Sequence, residues 1–414
     1  MPEEVKPAVR NRLIAVIFIV SSLVAAAQVV FFTLMPILAA DLSGSEGAAG
    51  IPSTAGLLFR AIAAYPLGWL MGRAGRRLGL TVGLLIGLAG MVMSAWAVGI
   101  GNFWLFTLGA GLAGIARGAS DLSRYAAAEV SPIDRRAKVI GWIVFAGTIG
   151  AVTGPLLVTP AVTLADKLGL TSQSGPFWVG AIVLALSAVF TFALLRPDPL
   201  TISRQMDDHD RLMTGRRADE PSRPLSQLLQ SWHVRLGIGA MTIGQLVMVM
   251  IMVITPLHMD HAGHGTGAIS LVIMAHQLGM FGLSGATGWL IDHFGATTLI
   301  INGAALLVIA SLLTPAVVSV IGLSVALFLL GLGWNLCFVA GSSLLAVGLA
   351  PAESARIQGF SDTWASAASA AGSLSTGLLF AAGDMLLVGA VGLAFSLGLI
   401  AAWLHWRDRE VVLV

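Results

Sequence analysis

The fold is decided by the stretch Gly68-Trp69-Leu70-Met71-Gly72-Arg73-Ala74-Gly75, which recurs in altered form 220 residues later. The second copy reads Gly288-Trp289-Leu290-Ile291-Asp292-His293-Phe294-Gly295, and Pro36 recurs as Pro256 at the same offset. One fixed offset shared by distant positions indicates that the chain consists of two homologous halves. Each half is a series of long apolar segments, and a duplicated bundle of membrane helices is typical of secondary transporters.

The composition of the chain is that of a membrane protein. Of its 414 residues, 57% are hydrophobic and 11% are charged. Twelve segments reach the length of roughly 20 residues that a spanning helix needs. They lie at 13–38, 48–71, 78–99, 103–127, 139–163, 176–196, 235–257, 268–291, 297–317, 319–347, 357–380 and 384–404. The sequence therefore predicts an all-α membrane protein with twelve transmembrane helices in two pseudo-symmetric six-helix halves. The first segment lacks a convincing signal-peptide cleavage site and is predicted to be the first span.

We predict three parts along the chain: an N-terminal six-helix bundle over 1–196, a linker over 197–234 and a C-terminal six-helix bundle over 235–414. Acidic and basic residues interleave in the linker, which does not suit nucleic-acid binding. Lys and Arg outside the spans concentrate at the termini, in the linker and in loops on one side of the bilayer, which leaves only Lys167 for the other. The positive-inside rule then places both termini in the cytoplasm, at a bacterial inner membrane.

Both copies of the repeated stretch resemble the cytoplasmic G-x-x-x-D-R-x-G-R-R motif of the major facilitator superfamily. In the first copy Arg76 and Arg77 follow Gly75, but Gly72 stands where the motif has Asp. The second copy has Asp292 and lacks the trailing arginines. The resemblance implies the major facilitator fold, alternating access around a central cavity, and a latch of carboxylate and guanidinium groups on the cytoplasmic side. Because Gly72 replaces the acid, we expect a weakened latch in the first half.

Sulfur and imidazole side chains recur at helical spacing in the seventh and eighth predicted spans. Met248 and Met252 are four residues apart, as are His276 and Met280, so each pair lies on one face of its helix. Thioethers favour copper in its +1 state, and imidazole suits several transition metals. The pattern predicts a copper(I) site. The alternative is that the methionines fill irregular gaps in an apolar core and that His276 bonds a neighbouring helix.

The same two pairs are similar to the M-x-x-x-M and H-x-x-x-M motifs of the CcoA-like copper importers, which supply copper for the assembly of bacterial haem–copper oxidases. The resemblance implies that Met248, Met252, His276 and Met280 bind copper transiently during import. Copper, as an ion or a small complex, would be the cargo and no resident cofactor is expected. A cytoplasmic copper acceptor would be the partner on the inner side of the bilayer.

Four more imidazole or thioether side chains lie between these two spans, at His258, Met259, His261 and His264. The predicted orientation places them outside the cytoplasm. They are candidates for an entrance that captures copper and passes it to His276. A polar turn rich in loop-forming residues explains the same pattern equally well.

Charged residues within the predicted spans need partners, since a lone charge at the bilayer centre costs about 2.5–3.5 kcal/mol on insertion scales. Arg60 lies well inside the second span, and Asp121 and Asp362 are its candidate partners. We expect these groups and Asp292 to line the cavity or the gate, either coupling transport to protons or holding helices in register. A cationic Arg60 suits an anionic substrate or an anionic copper complex better than a bare copper ion.

The main alternative to copper import is a proton-coupled exporter of an organic or drug-like solute. In that hypothesis Phe31, Phe32 and the methionine-rich face form an adaptable apolar pocket. The sequence contains no nucleophile motif, phosphate-binding loop or cofactor fingerprint, so we expect no enzyme activity.

Overall fold

The structure is a computed structural model that describes residues 7–131, 136–202, 224–345 and 351–410, and every regular element in these ranges is helical. The first six long helices are α1 (Pro7–Ser43), α2 (Ile51–Ala74), α3 (Arg76–Ile100), α4 (Phe103–Glu129), α5 (Arg136–Lys167) and α6 (Gly175–Leu194). The remaining helices are the short α7 (Leu225–Leu228), then α8 (Trp232–His261), α9 (Thr266–Gln277), α10 (Ser284–Phe294), α11 (Ala296–Ala316), α12 (Val320–Leu344) and α13 (Pro351–Glu410). A π-helical turn, Leu278–Gly282, connects α9 to α10.

These helices account for the twelve predicted spans. Nine of the helices in the described ranges are long and apolar enough to cross a membrane, and α9 with α10, bent by 49°, makes a tenth span. Helix α13 contains two of the predicted spans, because Gly383 and Asp384 break its helical backbone between them. The twelfth is α4, whose 27 residues include Arg117, Asp121 and Arg124 and are therefore less apolar.

The chain divides into two compact units. The first contains Met1–Met35 and Ala55–Asp219, and the second contains Pro36–Thr54 and Glu220–Val414. The division differs from the predicted bundles because the segment 36–54 packs with the second unit, where Ser373 donates a hydrogen bond of 3.1 Å to the carbonyl oxygen of Gly50. The central part of the predicted linker, 203–223, lies outside the described residues.

In the first unit, small residues let helices approach closely around an aromatic core. Phe177 contacts Phe31 and Phe106 edge to face, with ring centroids 5.1 and 5.4 Å apart. Helix α3 packs along α4, and a side chain at Gly90 would collide with the backbone of Ala113. Backbones approach in this way only where glycine or alanine occupies the interface.

The repeated stretch ends at the start of α3, where a carboxylate from a distant part of the first unit binds. Asp198 accepts hydrogen bonds from the backbone N–H groups of Arg76 (2.9 Å) and Arg77 (3.0 Å). The Arg76 side chain donates two more bonds, of 2.9 and 2.7 Å, to the carboxylate of Glu129. The first copy of the motif thus engages two carboxylates although Gly72 stands in the motif's acidic position.

In the second unit, α8 packs against α12 and α13, and α9 packs against α12. Glycines set the distance between α9 and α12: a Cβ atom added to Gly331 would lie 2.9 Å from the backbone nitrogen of Met280 and would also collide with the carbonyl oxygen of His276. This close approach brings side chains of α9 within reach of the backbone of α12, so that His276 contacts Leu327.

Candidate functional site

The predicted methionines of the second unit lie in one buried cluster with an aromatic side chain. Met248 on α8, Met280 in the π turn and Trp334 on α12 belong to this cluster, which we call the sulfur–aromatic cluster, and Met252 packs against it. Met248 and Met280 are each 7% exposed. Three of the four predicted copper ligands are therefore near one another, although they come from two different spans.

His276, the fourth predicted ligand, is fully buried at the end of α9, one turn before Met280. Its Nδ1 atom lies 2.9 Å from the carbonyl oxygen of Leu327 on α12. Because a carbonyl oxygen can only accept, Nδ1 carries the hydrogen and Nε2 presents a lone pair. Within the described part of the chain, Nε2 is buried and has no hydrogen-bond partner. The ring is thus fixed in one tautomer, with a bare nitrogen in the protein interior.

The π turn between His276 and α10 is held by a polar side chain of α12. Asn335 donates hydrogen bonds to the carbonyl oxygen of Met280 (2.7 Å) and to the hydroxyl of Ser284 (2.9 Å). It accepts a bond of 2.6 Å from Thr287. A π turn leaves backbone carbonyl groups without their usual helical donors, and such turns often occur at functional sites. Asn335 supplies the missing donor at Met280.

Three aromatic side chains that the sequence did not predict as part of the site adjoin the methionines. We call Phe281, Trp334 and Phe338 the aromatic wall. Trp334 stacks on Phe338 with ring centroids 5.0 Å apart and an angle of 20°, and Phe281 contacts Trp334 edge to face at 6.0 Å. The indole N–H of Trp334 donates a bond of 2.7 Å to Oε1 of Gln245 on α8. One sequence pattern could have indicated this wall: Trp334 and Phe338 are four residues apart and therefore lie on one face of α12.

The three histidines among the four candidate entrance residues contact different partners. Nδ1 of His258 is 3.6 Å from Oδ1 of Asp384, and Nε2 of His261 is 3.6 Å from Oε1 of Glu46; each pair is ionic only when the imidazole is protonated.

The other two candidate entrance residues, His264 and Met259, have separate surroundings. Nε2 of His264 is 2.7 Å from the carbonyl oxygen of Val318, and Met259 is fully buried. Among the described residues, no three His, Cys, Asp or Glu side chains are placed to hold a metal ion together. Metal capture at this entrance stays a prediction.

The charged residues expected in the cavity or gate are found in several places. In the first unit, Nη2 of Arg60 on α2 is 2.6 Å from Oδ2 of Asp121 on α4, and Nε of Arg117 is 3.4 Å from Oδ1 of the same carboxylate. In the second unit, Asp292 is exposed at the end of α10 and Asp362 is exposed on α13. Arg60 thus pairs with Asp121, one of the two partners considered for it.

Phe31 and Phe32, the aromatic residues of the organic-solute hypothesis, lie in the first unit. Phe31 is 1% exposed and packs within the aromatic core, while Phe32 is half-buried and contacts Phe31 edge to face at 5.9 Å. Phe31 is therefore a core residue, and Phe32 is the more accessible of the two.

Comparisons with known proteins agree on one family. Residues 17–373 match the family model of the Major Facilitator Superfamily. An uncharacterized MFS-type transporter of Bacillus subtilis (strain 168), YdeG, is 32% identical over 385 residues, which cover 91% of this chain and 87% of that protein. The riboflavin transporter RfnT of Brucella anthropi is 28% identical over 353 residues, covering 85% of each chain.

Solved structures show the same fold at lower identity. The human organic anion transporter MFSD10 superposes with a TM-score of 0.66 at 18% identity, covering 95% of this chain and 99% of that one. A D-xylose–proton symporter superposes with a TM-score of 0.69 at 16% identity, covering 94% and 97%. At these identities the likeness concerns the fold.

Proposed function

Since the chain belongs to the major facilitator superfamily and is therefore a multi-pass membrane transporter and not an enzyme, we propose that it imports copper(I) across a bacterial inner membrane. The major facilitator fold predicted from the sequence is confirmed by this membership and by the helical architecture. The proposed ligands are Met248, Met252, His276 and Met280, used in turn during alternating access. Both termini would be cytoplasmic, and a cytoplasmic acceptor would receive the metal.

The observation that carries this proposal is the state of His276. Metal-binding histidines almost always donate their second ring N–H to a carbonyl or carboxylate, which fixes the tautomer and turns the other nitrogen toward the metal. The bond from Nδ1 to Leu327 is an arrangement of this kind, and it leaves Nε2 buried with a free lone pair. A buried nitrogen without a partner is costly, and a bound metal ion would satisfy it.

The character of the neighbouring ligands favours copper(I) over other metals. Zinc prefers thiolate, imidazole and carboxylate ligands, and magnesium prefers oxygen ligands. No group of three His, Cys, Asp or Glu side chains among the described residues is placed to hold a metal ion. Thioethers bind copper(I) and hold it weakly. A transporter benefits from weak ligands because it has to release its cargo.

A planar organic solute is the second candidate, favoured by the aromatic wall. Trp334 and Phe338 offer stacking faces, and the amide of Gln245 offers hydrogen-bonding groups beside them. Small-molecule sites combine apolar and aromatic surface with a few placed polar groups. The relative RfnT is named as a riboflavin transporter, so the solute would be a flat heteroaromatic compound of that type.

One reconstitution experiment separates the two candidates. Liposomes containing the purified protein are offered radioactive copper under reducing conditions and, in parallel, radiolabelled riboflavin. We expect saturable copper uptake that is lost when Met248 and Met280 are both changed to leucine, a substitution that keeps volume and removes sulfur. The matched control is Met91→Leu, because Met91 is equally enclosed but lies on α3 of the first unit.

Uptake of riboflavin in place of copper would support the second candidate. If the liposomes accumulate riboflavin, lose that uptake in Trp334→Leu and take up no copper, the copper proposal is wrong. The protein would then be a carrier of planar solutes, and the methionines would serve as adaptable packing around them.

A further inference from the structure

Two guanidinium groups bind a single carboxylate in the first unit, and a third arginine lies nearby on the same helix. Arg60 and Arg117 each bind one oxygen of Asp121, at 2.6 and 3.4 Å. Arg124 follows Asp121 on α4 by less than one turn; it donates a bond of 3.1 Å to the hydroxyl of its neighbour Tyr125, and its Nε is buried without a hydrogen-bond partner among the described residues. Three positive charges and one negative charge give these four side chains a net charge of +2.

This cluster lies deep within its helices. Arg60 comes nine residues after Ile51, the first residue of the 24-residue α2, and Arg117 comes fourteen residues after Phe103, the first residue of the 27-residue α4. At about 1.5 Å per residue these guanidinium-bearing positions are about 14 and 21 Å from the helix starts, in the middle of each span. Charges at this depth usually mark the path of a substrate or an ion.

Most hydrogen-bond donors of Arg60 and Arg117 have no partner among the residues that the structure describes. Each arginine carries five N–H donors in a planar fork, and the ion pairs involve one nitrogen of Arg60 and one of Arg117. The side chain of Arg60 is 43% exposed and that of Arg117 is 34% exposed, so these donors are accessible. Planar forks of this kind match carboxylate and phosphate oxygens and bind them through two bonds at once.

Glycines on α4 hold Arg60 in this position. A Cβ atom at Gly118 would lie 3.3 Å from both Cγ and the carbonyl oxygen of Arg60, and one at Gly114 would collide with the backbone of Gly56 on α2. The two helices therefore touch along their glycines, and the stem of Arg60 lies directly on α4. The charged end is preorganised beside Asp121 and Arg117, which lowers the entropic cost of binding a ligand.

We propose that Arg60 and Arg117, with the positive charge of Arg124 nearby on α4, form a binding site for an oxyanion, the carboxylate or phosphate group of a transported or co-transported solute. The site lies wholly within the first unit and uses none of the copper ligands, so it goes beyond the function proposed above. Asp121 holds two of the arginines in place between binding events, and the oxyanion completes their coordination. A lipid headgroup has the same chemistry and is the second possible source.

Thermal unfolding of the copper-free protein in a neutral detergent tests the site. Benzoate and inorganic phosphate are titrated separately against chloride at constant ionic strength. We expect at least one of them to raise the unfolding midpoint saturably, with an apparent Kd that rises at least about tenfold in Arg60→Gln and in Arg117→Gln, since a charge-assisted hydrogen bond is lost. The matched control is Arg73→Gln, because Arg73 stacks on Trp69 at the end of α2, away from Asp121.

Two further measurements control for misfolding of the variants and identify the source of the anion. Arg60→Lys keeps the charge and loses the fork, so it should restore part of the affinity and show that the variant protein is folded. Nanodiscs of phosphatidylglycerol and of phosphatidylcholine separate the sources: Arg60-dependent stabilisation by phosphatidylglycerol, without any by soluble anions, assigns the site to a lipid headgroup. If every variant responds to anions and to lipid as the unmodified protein does, the oxyanion site is rejected. Because copper is absent throughout, this result is independent of the copper proposal.

Discussion

Asn335 on α12 holds the backbone of Met280 through a hydrogen bond of 2.7 Å from its side-chain amide to the Met280 carbonyl oxygen. Met280 is a residue of the sulfur–aromatic cluster and also part of the π turn. The side chain that stabilises the irregular backbone therefore also fixes where a proposed copper ligand lies. The geometry of the turn and the geometry of the site depend on one residue of another helix.

The first prediction concerns this amide. Asn335→Leu removes three bonds between helices, to Met280, Ser284 and Thr287. At about 0.6 kcal/mol for each bond between membrane helices, the loss amounts to about 2 kcal/mol of unfolding free energy. We expect a lower unfolding midpoint and impaired transport. Asn302→Leu is the control, because Asn302 is exposed on α11; equal midpoints for the two variants would contradict the role of Asn335.

The second prediction concerns the contact between α9 and α12. Gly331→Ala places a methyl group against the backbone of His276 and Met280, which pushes the helices apart and strains the bond from His276 to Leu327. Overpacking of this kind costs about 1–3 kcal/mol. The variant should unfold earlier and lose copper uptake. Gly359→Ala on α13 meets no atom within 4 Å and should leave both properties intact; the same loss in both variants would argue against a specific contact.

The third prediction concerns the start of α3. Asp198 acts there as a distant N-terminal cap, since its two oxygens accept from the amides of Arg76 and Arg77. Asp198→Ala should cost about 1 kcal/mol, the usual value for a lost capping side chain. Hydrogen exchange followed by mass spectrometry should show faster exchange of these two amides. Unchanged exchange in the peptide that contains them would show that the cap contributes nothing in the membrane protein.

The fourth prediction concerns the candidate entrance. His258, His261 and His264 have three different partners, so their effects on copper uptake should be independent. We expect the fold increase in the half-maximal copper concentration of the triple glutamine variant to equal the product of the fold increases of the three single variants. A triple effect far smaller than that product, close to a single effect, would mean that the three imidazoles bind one ion together, as the sequence pattern suggested.

The features predicted from the sequence depend on local patterns. Helical spans follow from runs of apolar residues, and the two-fold repeat follows from one offset, so both are visible without any knowledge of contacts. Four-residue spacing places Met248 with Met252, and His276 with Met280, on one helix face each. It does not predict that Met248 and Met280 come together, since they lie on different helices. The break of α13 at Gly383 and Asp384 also agrees with the gap between two predicted spans.

The features that could not be predicted from the sequence depend on contacts between residues far apart in the chain. Asp198 binds amides 121 and 122 positions earlier in the chain, and Asn335 supports a π turn that is 55 positions away at Met280. No periodic pattern of residues in the sequence indicates a contact between positions this far apart. The divergence of the entrance histidines was invisible for the same reason, since Glu46 and Asp384 approach them from other segments.

The fixed orientation of the His276 ring restricts where its chemistry takes place. Nδ1–H is committed to the Leu327 carbonyl oxygen, so an ion can be accepted and released only at Nε2. A proton and a copper ion would therefore exclude each other at His276, because both need the same lone pair.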